Sequence, residues 1–226
     1  MEVRLDVDRG RRKGFSEVIF CEGKSDKQLL GIAEEIIAKR LDTAFSRMND
    51  LQNRIVGSVI NDFKYDPISR VGHTNFGSIN KNGALIAVVS AGSTDVPAAE
   101  EAAQIIEFFG SEAKRFYDVG VAGIHRLFSV LQDIRKADVV IVAAGMDGAL
   151  PSVVSGLVSS LVIGLPTSVG YGIAEKGNTA LRSMLCSCSP GLVVVNIDNG
   201  VGAALSALAA VNIKSSGPCQ IIQPDE

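Results

Sequence analysis

Ala84-Leu-Ile-Ala-Val-Val-Ser90-Ala-Gly-Ser-Thr-Asp95-Val-Pro97 reads as a buried strand, a glycine-bearing loop and the start of a helix. The apolar run is short and shows no polar alternation, the pattern of a strand covered on both faces. A helix is predicted over Val96–Phe109, with Asp95 just before it and Gly110 just after it. The same unit recurs downstream. Strands are predicted over Ala113–Val119, Asp138–Ala144, Leu161–Leu165 and Leu192–Ile197. The helices that follow them are predicted over Gly123–Lys136, Pro151–Ser159, Ala174–Cys186 and Val201–Ala210. Strands alternating with helices of this length imply βαβ units and a parallel sheet.

The chain before this point differs in character. Residues 1–75 are charged and read as a small N-terminal α+β domain. One amphipathic helix is clear, capped by Ser25 or Asp26, with Leu29, Leu30, Ile32, Ala33, Ile36 and Ile37 as its apolar face. Phe15–Phe20 and Arg54–Ile60 read as strands, and Tyr65–Asn82 as a linker. Residues 84–214 then form the α/β domain, and the polar stretch 215–226 reads as a flexible tail.

Composition narrows the function classes. Of 226 residues, 46% are hydrophobic and 21% charged, enough to bury a full core. A net charge of −3 argues against a general nucleic-acid binder, and the basic run Arg9-Gly-Arg-Arg-Lys13 reads as a solvated face. The cysteines at 21, 186, 188 and 219 show no paired metal spacing, and the N-terminus does not read as a signal peptide. A reducing, cytoplasmic compartment is expected, or an organellar one if a transit segment precedes the chain. No run reaches the roughly 18 apolar residues of a membrane span.

Candidate chemistry lies in the loops after the strands, where open α/β sheets place their ligands. In Gly92-Ser-Thr-Asp95, glycine, two hydroxyls and a helix N-terminus suit a phosphate; equally, Thr94 or Asp95 could simply cap the helix. His125, in the first turn of a helix, is open to a functional or a purely structural reading. Asp147, in Gly145-Met-Asp-Gly148, could orient a proton, a ribose hydroxyl or a metal-bound water, or form a turn. Asp95, Asp118 and Asp147 on one sheet edge would repel one another without a compensating cation or ligand. Cys186-Ser-Cys188 puts its two thiols on different helix faces, so a shared metal is not expected. Either could be a nucleophile or an inert buried thiol.

These motifs carry a resemblance. Gly92-Ser-Thr-Asp95 and Ala144-Gly-Met-Asp147-Gly-Ala-Leu-Pro151 resemble the phosphate-binding and edge loops of the aminoimidazole ribonucleotide carboxylase (PurE-like) superfamily. Within it, several stretches resemble the LarB family of nickel-pincer cofactor biosynthesis. They are Asp118-Val-Gly-Val-Ala-Gly-Ile-His125-Arg126, Pro166-Thr-Ser-Val-Gly-Tyr-Gly172 and Val195-Asn-Ile-Asp-Asn-Gly200. Leu5-Asp6, Arg12-Lys-Gly-Phe15, Glu17-Val-Ile-Phe20 and Glu22-Gly-Lys24 extend the likeness to the N-terminal part.

The resemblance implies a flavodoxin-like three-layer sandwich with a parallel sheet, assembling as a homo-oligomer, octameric in the superfamily. It implies carboxylation of nicotinic acid adenine dinucleotide at pyridinium C5, with hydrolysis of the phosphoanhydride. The products are pyridinium-3,5-biscarboxylic acid mononucleotide and AMP. CO2 or bicarbonate is the co-substrate and Mg2+ the cofactor.

Met184-Leu-Cys-Ser-Cys188-Ser-Pro-Gly191 resembles the family's Met-Leu-x-Ser-Cys-x-x-Gly, which puts the nucleophile on Cys188 rather than Cys186. Asp147 stands where the family has Glu, and His125 and Asp118 complete the catalytic set that is implied. Gly92, Ser93, Thr94, Asp95, Gly145, Met146, Gly148, Thr167, Ser168 and Gly170 are the implied substrate and phosphate contacts. Two other functions remain in view: a purine-pathway carboxylase or mutase on aminoimidazole ribonucleotide, and a non-catalytic nucleotide-binding oligomer.

Overall fold

The computed structural model describes residues 4–77 and 81–216, with side chains to residue 212. Two sheets organise the chain. The first contains β1 (Val18–Phe20), β2 (Ala44–Ser46), β3 (Lys64–Asp66) and β4 (Val71–His73), in the order β1-β2-β4-β3. β1 and β2 are parallel, and the other pairings are antiparallel. α1 (Arg9–Lys13), α2 (Asp26–Lys39) and α3 (Asp50–Gly57) accompany this sheet. The basic run forms α1 and buries none of its residues, a solvated face as expected.

Ser25 caps α2 with a reciprocal capping box to Gln28, which selects between the two cap candidates. Leu29, Ile32, Ala33 and Ile36 form the buried stripe, whereas Leu30 and Ile37 are partly exposed. The stripe keeps the i, i+3, i+4, i+7 spacing of a single helix face.

Two readings of this region are corrected. Arg54–Ile60, expected as a strand, lies largely in α3, whose Asn49 cap is closed by a second capping box with Gln52. That local helix start, five residues upstream of the β-branched Ile55-Val56, outweighs their strand propensity. Tyr65–Asn82, expected as a linker, instead supplies most of the β3–β4 hairpin. Asp66 Oδ2 accepts from the Ser69 amide at 2.7 Å and builds the turn. Gly72 lies so close under Phe63 and Met48 that a Cβ would stand 2.7 Å from the Met48 sulfur.

The second sheet contains β5 (Leu85–Ser90), β6 (Glu112–Phe116), β7 (Val139–Ala144), β8 (Leu161–Pro166) and β9 (Leu192–Val194). All four pairings are parallel, in the order β6-β5-β7-β8-β9. This is the flavodoxin-like order. The crossover helices are α4 (Val96–Phe108), α5 (Ile124–Ile134), α6 (Ala149–Ser155) and α7 (Asn178–Leu185), and α8 (Gly200–Ser216) closes the described chain. Successive residues of β7 serve opposite faces. Val139, Ile141 and Ala143 join the core with α4 and α8, while Val140, Val142 and Ala144 join the core with α5, α6 and α7. The result is a three-layer sandwich.

Ala44 and Val71 of the first sheet belong to the same core as α4, so α4 is covered on two sides. That cover leaves even Glu100 and Glu101 buried, at 9% and 4% exposure. The helix expected over Ala174–Cys186 is shorter. Gly172–Gly177 forms 3-10 turns with Glu175 and Lys176 in left-handed conformation, and α7 starts only at Asn178. α8 runs past Ala210 to Ser216, which takes in the start of the expected tail; the rest of that tail and Cys219 lie outside the described residues. Among the described residues no helix is long and apolar enough to cross a membrane.

Candidate active site at the carboxyl edge of the parallel sheet

β5 is flanked by β6 on one side and β7 on the other, so the connections leave this point in opposite directions. Such a switch point opens a crevice beyond the carboxyl ends of the strands. The loops after β5, β7 and β8 meet there. Asp95 is buried and joins all three. Its Oδ2 accepts from the Gly92 amide at 2.8 Å and its Oδ1 from Thr167 Oγ1 at 2.6 Å, and the nearby Gly145 amide also favours its ionised form. Burial pushes its carboxyl above the usual range, and these donors oppose the shift. No side-chain cap bond runs from Asp95 to α4, so the capping alternative does not describe it.

Thr167 is buried as well, its hydroxyl spent on Asp95. Asp95 and Thr167, expected to face a ligand, therefore hold the loops against each other. Gly145 permits this closure, because a Cβ there would lie 2.7 Å from Thr167 Oγ1. The Met146 amide then donates to Val169 O at 2.9 Å, which places Met146 and Asp147 on the exposed crest of the β7 loop. Gly148 follows in left-handed conformation, facing Ala180 at a distance that excludes a Cβ.

The acids at this edge have different fates. Asp118 forms an ion pair with Arg126 at 2.6 Å, and its amide donates to Ser90 Oγ at 3.1 Å. Asp95 is held by hydrogen-bond donors. Asp147 is exposed and spends one oxygen on the Ala149 amide at 3.3 Å. The expected mutual repulsion is thus relieved for two of the three by the chain itself, and Asp147 remains open to solvent. Gly92 is half-buried, Ser93, Thr94, Ser168, Gly170 and His125 are exposed, and the loop that leads into the helix of His125 abuts the β5 loop where Gly120 packs on the Ala91 carbonyl.

Cys188 stands apart from this cluster. It is exposed, in the turn between α7 and β9. Ser187 Oγ meets Ser152 Oγ at 2.8 Å, Ser189 Oγ donates to Ser152 O at 2.9 Å, and Ser155 Oγ donates to Pro190 O at 2.9 Å. The turn is therefore pinned along α6, about 5 Å or more down its axis from the Asp147 loop. Within one chain Cys188 and Asp147 are not brought into contact. Cys186 caps the end of α7 and is exposed, and Cys21 is buried with its thiol pushed up to about 12 by that burial.

Sequence reasoning named no role for Asp198 or Arg47. Asp198 accepts from the Ser168 amide at 2.8 Å and donates its own amide to Pro166 O at 2.8 Å. The Asn196-Ile-Asp-Asn-Gly motif was the available signal for Asp198. Arg47, whose Nη2 donates to the Asp198 carbonyl, lies 151 residues away and gave no local signal.

A parallel sheet in this order, with glycine-rich loops crowding its switch point, defines a doubly wound α/β domain with a crevice at its carboxyl edge. The family follows from comparison with known proteins. Residues 85–222 match the AIR carboxylase family and residues 2–75 the LarB/PurE-like N-terminal domain. The chain belongs to the AIR carboxylase family as a LarB-like member of the PurE superfamily. An uncharacterized protein of Methanocaldococcus jannaschii, MJ0165, is 39% identical over 215 residues, 91% of this chain and 82% of that protein. The N5-carboxyaminoimidazole ribonucleotide mutase of the same organism is 34% identical over 135 residues, 58% of this chain and 80% of the mutase. The crystal structure of Treponema denticola PurE superposes with a TM-score of 0.46 at 26% identity, over 59% of this chain and 82% of that one.

Proposed function

We propose that the protein carboxylates the pyridinium ring of nicotinic acid adenine dinucleotide and hydrolyses its phosphoanhydride. The observation that carries this reading is the exposed thiol of Cys188, pinned by serine hydrogen bonds, in a chain with both a LarB/PurE-like N-terminal domain and an AIR carboxylase domain. An electron-poor pyridinium carbon cannot attack CO2. Addition of the Cys188 thiolate to the ring forms a C–S bond and gives a dihydropyridine whose C5 has enamine character. C5 then bonds to CO2, its proton leaves to a base, and the C–S electron pair returns to sulfur as the ring regains its aromatic charge. Separately, water attacks one phosphorus of the anhydride, and AMP departs with the other phosphate.

Ser93, Thr94 and the amides beside them are the proposed phosphate contacts, being exposed at the start of α4. Asp147 is the proposed proton-handling group, since of Asp95, Asp118 and Asp147 it is the one neither ion-paired nor buried. Mg2+ fits as an ion carried in on the phosphates. Among the described residues no group of three His, Cys, Asp or Glu could hold a metal, whereas Asp147 offers one carboxylate, which suits a cation that takes its other ligands from phosphate and water.

The proposal includes association with a second copy of the chain at this edge. Tyr171, Ile173, Leu185 and Val193, all exposed, support such an association. A homo-oligomer, octameric by the LarB resemblance, is part of the proposal.

The test is incubation with nicotinic acid adenine dinucleotide, bicarbonate and Mg2+, following AMP and the ring product by mass spectrometry. Cys188→Ala should abolish ring carboxylation, and Cys186→Ala should retain it. Normal carboxylation by Cys188→Ala overturns the covalent route. A second reading, turnover of aminoimidazole ribonucleotide, has the 34% likeness to the mutase in its favour. Activity on that substrate and not on the dinucleotide would select it.

A further inference from the structure

Arg47 is the point at which the N-terminal sheet reaches the edge loops. It follows β2 in a left-handed conformation with φ of 54°. Its guanidinium donates to the Asp198 carbonyl, stands 3.4 Å from Glu22 and 3.9 Å from Glu101, and lies over the Phe20 ring at 5.6 Å. Its own carbonyl accepts from Arg70 at 3.0 Å, which fixes the backbone that presents it.

Asp198 is also left-handed, with φ of 54°, a conformation that a non-glycine residue keeps only where its surroundings over-determine it. Three bonds do so here: Arg47 to its carbonyl, its amide to Pro166 O, and the Ser168 amide to its carboxylate. The next residue after Ser168, Val169, accepts from the Met146 amide, and Asp147 follows. A line of hydrogen bonds joined through short stretches of backbone therefore runs from the first sheet through Asp198 and the β8 loop to the β7 crest.

We propose that Arg47 is a positioning residue for the carboxyl-edge loops. It holds Asp198, and through Asp198 the Ser168–Val169 and Met146–Asp147 segments, so that the N-terminal sheet completes a site whose own loops all belong to the parallel sheet. The role rests on the reading of those loops as the substrate site. The line of bonds itself exists without substrate, and the first measurement uses none.

Residue-resolved hydrogen exchange is measured at the Ser168 and Met146 amides. Arg47→Ala should speed exchange at both by about 10-fold, the loss expected for a hydrogen bond from a charged donor. Arg47→Lys should recover part of the protection. Glu22→Ala, which removes an exposed partner of Arg47, should leave both amides unchanged. Asp198→Ala should expose Ser168 to the same extent, and Arg47→Ala should add nothing to it, because both act on one line. Where the wild type turns over a substrate, Arg47→Ala should lower kcat/KM and Arg47→Lys should restore part of it. Unchanged exchange in Arg47→Ala, or additive effects with Asp198→Ala, overturns the role. If Arg47→Ala does not fold, the Arg47→Lys and Asp198→Ala pair decides by the same non-additivity. Loss of the line with the dinucleotide inert would sink the substrate reading alone.

Discussion

Glu101→Gln should change how the stability of this protein depends on pH. Glu101 lies on α4 under the cover of both sheets, 4% exposed, and faces Arg47, the Gly200 and Val201 amides and the Asp198 carboxylate. Burial is the largest influence on its carboxyl; Arg47 and the two amides oppose it, and the group is pushed up to about 7 from its ordinary 4.5. Between these values the folded chain binds a proton that the unfolded chain has released. Stability from this group is therefore lost as pH rises from the unfolded value through the folded one. At about 1.36 kcal/mol per pH unit the loss is about 3 kcal/mol, fully developed above neutrality. Glutamine keeps the shape and an acceptor for the amides but cannot ionise.

The assay is urea unfolding of wild type and Glu101→Gln at matched protein concentration, at intervals from about pH 5 to about pH 8. The stability of the variant relative to wild type should rise by about 2.5 kcal/mol across that range. Taking the difference cancels the other carboxylates. Parallel curves would refute the reasoning, because they would mean that the Glu101 carboxylate is as well solvated in the folded chain as in the unfolded one.

Thr167→Val removes a donor to the buried Asp95 carboxylate and should cost about 1–3 kcal/mol in the same unfolding assay, while Thr167→Ser should recover most of it. Asp147 makes one weak bond from an exposed crest, so Asp147→Asn should leave stability within about 0.5 kcal/mol of wild type. If Asp147 is the general base, that variant should cut turnover about 100-fold or more, with Asp147→Glu remaining active. Full activity of Asp147→Asn, or a melt showing that it unfolds, removes Asp147 from the catalytic set.

The second sheet was legible because its central strands are buried on both faces. Ile86 to Val89 and Val139 to Ala144 admit no polar residue, and the helices between them are long enough to keep their periodicity. The first sheet was not. Its strands are three residues each, too short for a period to register, and the run after Arg54 is β-branched yet helical.

The edge loops were likewise readable as a group from their glycines and small polar residues. Their division of labour was not. The same residue type appears as Asp95, Asp118, Asp147 and Asp198, and nothing local separates them. Asp95 is claimed by Thr167 72 residues away, Asp118 by Arg126, and Asp198 by Ser168 30 residues away.

By itself, then, the sequence determined the βαβ succession, the buried character of the central strands and the placing of glycine-rich loops at one sheet edge. Each of these follows from hydrophobic period and turn chemistry within a few residues. Only the tertiary structure decided which carboxylate stays open to solvent, that Cys188 lies along α6 away from Asp147, and that Arg47 of the first sheet reaches Asp198. Those outcomes depend on hydrogen bonds and close approaches between segments far apart in the chain, and they exist only once strand order and helix packing have brought the segments together.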